Sequence, residues 1–129
     1  MKAGVPHKGP SACEFRLASQ VAALLELFCK SEWRYSHLPM GEKRDAATAR
    51  KLQLMGVTRG WPDYIFVAPG KVCFLELKSP HGGVRSKDQS DIAGHLIACG
   101  CGYGLTNNLD DAVAMLQAWG VLPDTIHVQ

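Results

Sequence analysis

No apolar run in this 129-residue chain approaches the roughly 18 residues that span a bilayer. Its opening, MKAGVPHKGP, also lacks the hydrophobic centre of a signal peptide. Both absences point to a soluble chain of the cytoplasm, with no membrane partner. An excess of charge of one sign is missing too. Fourteen basic residues stand against 12 acidic ones, a formal balance of +2, so any basic surface has to come from local clustering. The five cysteines, at 13, 29, 73, 99 and 101, are odd in number, and no CxxC pair is matched elsewhere. They read as buried free thiols, and the C-x-C of Cys99 and Cys101 reads as small apolar residues rather than a metal site. Neither an internal repeat nor a low-complexity tract is present.

What is there is enough for one core. A hydrophobic share of 47% over 129 residues makes one ordinary domain, and not two. Residues 1–10, rich in Gly and Pro, read as a poorly ordered tail, leaving 11–129 as a single domain. From Ser11, the residues Leu17, Ala18, Val21, Leu24, Leu25 and Phe28 recur every three or four positions, the stripe of an amphipathic helix of about 20 residues. Trp33 to Leu38 reads as a short strand, and Pro39 and Gly41 break it. Residues 43–55 carry good helix formers and stop at Gly56.

Asp63 to Ala68 and Lys71 to Lys78 are rich in Ile, Val and Phe and flank Pro69-Gly70, which predicts an antiparallel hairpin. Ser86 opens another helix, with Ile92, Ala93, Leu96 and Ile97 inward, and Gly100 ends it. A strand near Tyr103 to Thr106 follows. Asn108 then caps a last helix, with Ala112, Val113 and Leu116 inward and Gly120 at its end. The fold class is therefore α/β, in the order α-β-α-β-β-α-β-α. The helix from Ser86 joins two strands in a βαβ unit, so those strands should run parallel with a right-handed connection, giving a mixed sheet flanked by helices.

The hairpin holds the chemistry. Symmetry about Pro69-Gly70 pairs residues whose numbers sum to 139, and this sets Asp63 opposite Glu76. Opposed carboxylates on adjacent strands are destabilising unless something positive compensates. Alternation along the strand puts Lys78 on the face of Glu76, so Asp63, Glu76 and Lys78 converge. Two carboxylates suit a hard divalent cation such as Mg²⁺. A metal there would polarise a phosphoryl oxygen, with Lys78 steadying the attacking water or the developing charge. A plain ion pair on a half-buried strand is the competing reading of Glu76 and Lys78 taken alone.

GVTRGWPDYIF, then VCFLELKSP, then SKDQ, together resemble the VRR-NUC domain of the PD-(D/E)XK nuclease superfamily, and the layout holds from Glu14 to about Leu116. The resemblance implies a restriction-endonuclease-like core and a Mg²⁺- or Mn²⁺-dependent, structure-selective DNA endonuclease of the compact phage and bacterial kind. It implies Asp63 as the motif aspartate, Glu76 and Lys78 as the E-x-K pair, the Leu77 carbonyl as a further metal ligand, and Gln89 as the glutamine opening the next helix. Two departures stand out. Met40 replaces the residue usual before Gly41, and Ile92 stands where an aromatic is frequent. Both touch substrate contacts or packing rather than the triad.

The family also places an acidic residue early in its first helix, to hold or orient the metal. Helical phase puts Glu14 in line with the apolar stripe and Glu26 about 120° away, so Glu14 is the candidate. SACE from Ser11 is equally a capping box, with Glu14 bonding back to the Ser11 amide, and SKDQ from Ser86 offers the same alternative for Gln89.

Lys43, Arg44, Arg50, Lys51 and Arg59 precede the motif, and Arg85 and Lys87 follow it. They bracket the site as candidates for neutralising DNA phosphates. Trp61 reads as packing under the Pro62 turn, with stacking on a base as the alternative. His37 and His81 are the histidines nearest the motifs. The function that the resemblance implies is cleavage of branched DNA, a Holliday junction or a flap, and symmetric action on a four-way junction by so small a domain would call for a homodimer. The alternative is a non-cleaving nucleic-acid-binding module with the same fold, which has no need of two carboxylates that repel phosphate.

Overall fold

The computed structural model describes residues 12–39, 45–81 and 83–126. The tail at 1–10, the Ser11 cap, Met40, Lys43 and Arg44 lie outside them. Among the described residues, four helices and four strands follow in the predicted order: α1 (Ala12–Phe28), β1 (Arg34–His37), α2 (Ala46–Leu54), β2 (Tyr64–Ala68), β3 (Lys71–Leu77), α3 (Lys87–Ala98), β4 (Gly102–Thr106) and α4 (Leu109–Trp119). The four strands form a mixed sheet in the order β1-β2-β3-β4. Pairs β1–β2 and β2–β3 are antiparallel, while β3–β4 is parallel across the α3 crossover.

The hairpin has the register its symmetry requires. Val67 pairs with Val72, Ile65 with Phe74 and Tyr64 with Leu75. Side-chain alternation then divides β2 and β3 between two faces. Tyr64, Phe66 and Ala68, with Cys73, Leu75 and Leu77, join Leu17, Val21 and Leu25 of α1 and Ala112 and Leu116 of α4 in the main core. Phe66 and Leu75 are fully buried there, each stabilising the fold by about 1.5–3 kcal/mol relative to exposure. The Tyr64 hydroxyl donates to the Ala18 carbonyl at 3.1 Å, pinning α1 to the sheet. On β4, a Cβ at Gly104 would press on Met115 and on the Trp119 ring, so glycine there lets α4 lie close against the strand.

Phe74, Glu76 and Lys78 take the opposite face, toward α3. That helix begins at the Ser86 cap, with Ser86 Oγ accepting from Gln89 N at 3.1 Å and the full capping box formed. Asn108 caps α4 with its side chain accepting from Asp111 N, and Gly56, Gly100 and Gly120 take positive φ where their helices end. Some inward assignments need correction. Ala93 and Leu96 are buried, but Ile97 is 58% exposed, because four strands do not reach far enough to cover the outer edge of the α3 stripe. Of the five free cysteines, Cys73 alone is buried and Cys99 is exposed. Cys99 follows the end of α3, where its thiol sits 3.5 Å from His95 Nε2 one turn back.

Candidate active site

Asp63 directly precedes β2 and is held twice. Its carbonyl accepts from Leu38 N at 2.6 Å, just past β1. Its Oδ2 accepts from Leu77 N at 2.6 Å, at the end of β3. The Gly60-Trp61-Pro62 turn aims the chain into this position. Gly60 has φ of 97°, and a Cβ there would collide with the Asp88 carbonyl in the first turn of α3. Glycine therefore lets the turn rest on the backbone that carries Gln89. Trp61 packs: its Nε1 donates to Thr58 Oγ1 at 2.9 Å, and its ring centroid lies 6.1 Å from that of Phe74.

Glu76 is 3% exposed, an unusual place for a carboxylate. Its Oε2 accepts from Gln89 Nε2 at 3.1 Å and lies 4.0 Å from Lys78 Nζ. Oε1 is buried with no hydrogen-bond partner. Gln89 ties the group together, because its Oε1 accepts from Lys78 Nζ at 2.8 Å and from Ser86 N at 2.9 Å. The cap and site readings of Gln89 are therefore both satisfied by one side chain, whose two ends serve a cation and an anion at once.

The electrostatics follow from burying two acids beside one lysine. Burial, then the charge of Asp63, pushes the Glu76 carboxyl up from 4.5 to about 8, against the pull of Lys78. Asp63 is also raised, first by burial, with the Leu77 N–H and His37 opposing the shift. Glu14, half-buried near the start of α1, raises both. The site thus holds more negative charge than its own cations balance, the condition under which acids neutralise themselves or recruit a cation. Among the described residues, no three His, Cys, Asp or Glu side chains surround one ion position. The acidic donors brought together are Asp63 and Glu76, adjoining the Leu77 backbone.

The basic candidates separate by environment. Arg50 and Lys51 lie on α2, which has no buried residue. Arg59 is exposed before the Gly60 turn, and Lys87 pairs with Asp91 at 2.9 Å, both exposed. Arg85 is half-buried, its guanidinium carbon 5.9 Å from the centroid of the Tyr103 ring. Sequence reasoning missed Tyr103, the collision that demands Gly60, and the influence of His37 on Asp63. The His37 ring centroid is 5.1 Å from that of Tyr64, next in chain to Asp63. His81 is exposed, and its N–H donates to Ser79 Oγ.

No family model matches the chain, and no curated protein does. Among solved structures, a chain described as a VRR_NUC domain protein superposes with a TM-score of 0.64 at 17% identity, covering 88% of this chain and 93% of that one. The chain has the VRR-NUC fold. Because the match runs over most of both chains, the shared object is the whole architecture, a restriction-endonuclease-like core, rather than one hairpin. Among the described residues, no helix of this VRR-NUC fold is long and apolar enough to cross a membrane.

Proposed function

We propose that the chain is a metal-dependent endonuclease that hydrolyses phosphodiester bonds in branched DNA, a Holliday junction or a flap, and acts as a cytoplasmic homodimer. The observation that carries this reading is the Asp63, Glu76 and Lys78 cluster, in which a buried carboxylate leaves Oε1 without a partner. A structural ion pair would satisfy that oxygen. The VRR-NUC fold supports the nuclease class.

The donor set fits a hard divalent cation, since it offers carboxylate oxygens and an unsatisfied Oε1 in place of nitrogen or sulfur. Asp63, Glu76 and the Leu77 carbonyl would hold Mg²⁺ or Mn²⁺, and Glu14 would help to orient it. When bound, the ion supplies Lewis acidity toward the phosphoryl group. The chain's own groups do the rest. Lys78, fixed by Gln89 at 2.8 Å, holds an ammonium beside the charge that develops on the phosphoryl oxygens. Gln89 also keeps the Glu76 carboxylate in place at 3.1 Å. The Leu77 N–H fixes Asp63 so that it need not reorganise during reaction. Arg50, Lys51 and Arg59, with Lys43 and Arg44, supply salt-dependent phosphate contacts.

The test is cleavage of labelled duplex, single strand, 5′ flap, 3′ flap and four-way junction with Mg²⁺, Mn²⁺ or EDTA. Cutting that needs metal and favours a branched substrate is the expected result. Binding to branched DNA without cutting in either metal would make the chain a binding module instead.

A further inference from the structure

Every basic side chain among the described residues is exposed except Lys78 and Arg85, which are half-buried. Lys78 has its partners in Gln89 and Glu76. Arg85 forms no ion pair with any described carboxylate, although it sits in the loop joining Lys78 to α3. A partly desolvated guanidinium without an anion is costly in a resting protein, and the cost is removed when an anion arrives.

The neighbour of Arg85 is Tyr103. On β4, Tyr103 pairs with Phe74 while Leu105 pairs with Glu76, so alternation places Tyr103 on the face of the sheet that carries Glu76. Its hydroxyl is buried, with the Arg85 guanidinium near it at a geometry short of a full hydrogen bond. Burial raises its pKa, the nearby Arg85 guanidinium lowers it, and the charges of Glu76 and Asp63 raise it, so the phenol feels the guanidinium on the one hand and the two carboxylates on the other. The guanidinium carbon stands 5.9 Å from the ring centroid, the range in which an aromatic face holds a cation.

We infer that Arg85 and Tyr103 form a phosphate-binding corner of the site. Arg85 makes the charge-assisted contact to a phosphate of the nucleic acid, and Tyr103 is a positioning residue whose ring holds the guanidinium in place. Arginine suits the task because its planar fork matches phosphate oxygens and stacks on a ring, neither of which lysine does. The inference rests on the nuclease reading for its substrate, and it separates Arg85 from the exposed basic residues, each of which adds only screened attraction.

The experiment compares wild type with Arg85→Ala, Arg85→Lys, Tyr103→Leu, Tyr103→Phe and the Arg85→Ala/Tyr103→Leu double variant. Each is assayed for binding and cleavage of a labelled four-way junction and a 5′ flap across a salt series, with unfolding followed alongside. Arg85→Ala and Tyr103→Leu are each expected to lower kcat/KM or affinity roughly tenfold. The double variant should be no worse than either alone, and Tyr103→Phe should restore most of the loss. Arg85→Ala should also flatten the slope of log K against log salt by about one phosphate. Arg85→Ala equal to wild type, or losses that simply add, would overturn the corner. If wild type binds these DNAs without cutting, the nuclease reading fails, and the affinities alone decide: the same coupled losses keep the corner, and unchanged affinities sink it. Should Tyr103→Leu fail to fold, the Arg85 and Tyr103→Phe variants carry the decision.

Discussion

Gln89 joins Lys78 to Glu76: its amide oxygen accepts from the lysine at 2.8 Å and its amide nitrogen donates to the carboxylate at 3.1 Å. The direct lysine-to-carboxylate distance is 4.0 Å. The pair therefore communicates through a neutral bridge, which leaves both charges available to a substrate and a cation.

That bridge separates from the cap by mutation. Ser86→Ala removes the hydroxyl that accepts from Gln89 N and should cost about 1 kcal/mol of stability, with kcat within a few-fold of wild type. Gln89→Ala removes the bridge as well and should lower kcat by roughly 10²-fold, at a stability loss of similar size. Urea unfolding and single-turnover cleavage on the same samples distinguish the two. Equal losses of kcat would reduce Gln89 to a cap.

Gly60 is the backbone contact between the turn before Asp63 and the first turn of α3. Gly60→Ala brings a Cβ against the Asp88 carbonyl at a φ of 97° and should destabilise by about 1–3 kcal/mol. It should also lower cleavage, because Gln89 moves with that turn. Gly56→Ala, where nothing lies within 4 Å, carries the strain without the collision and should spare cleavage.

The raised carboxyl of Glu76 has a signature in metal-free protein. With its pKa at 4.5 when unfolded and about 8 when folded, the native state binds the extra proton between those values, so stability falls as pH rises from about 4.5 to 8 and levels off above. Glu76→Gln should flatten that slope and melt higher than wild type at pH 8. Thermal melts in EDTA from pH 5 to 9 read this directly, and parallel curves for the two proteins would count against a buried, protonating Glu76.

Cation binding should reverse the trend. Mn²⁺ or Mg²⁺ at pH 8 should raise the melting temperature of wild type and leave Asp63→Asn little changed, because binding the native state alone stabilises it by mass action. Equal shifts in both proteins would place the ion elsewhere.

The hairpin was legible in the sequence because a two-residue Pro-Gly turn dictates its register, and the register alone sets Asp63 opposite Glu76. The caps at Ser86 and Asn108 were legible for a similar reason, since a cap is a local hydrogen bond. Tyr103 was not. Its face depends on the parallel register of β4 against β3, which the α3 crossover sets through packing, and two glycines in a five-residue strand blur any alternation. Ile97 was misread because helical phase gives a direction but not the width of the sheet beneath it. The two readings of Gln89 stayed apart in the sequence because only three dimensions show that one side chain reaches both its own cap and the opposite strand.

The most direct test is single-turnover cleavage of a labelled four-way junction by wild type and Lys78→Ala in Mn²⁺, with binding measured in Ca²⁺. The account predicts metal-dependent cutting that falls by roughly 10²-fold or more in Lys78→Ala, while affinity stays within a few-fold. Equal cutting by both proteins, or none by wild type in any metal, would contradict it.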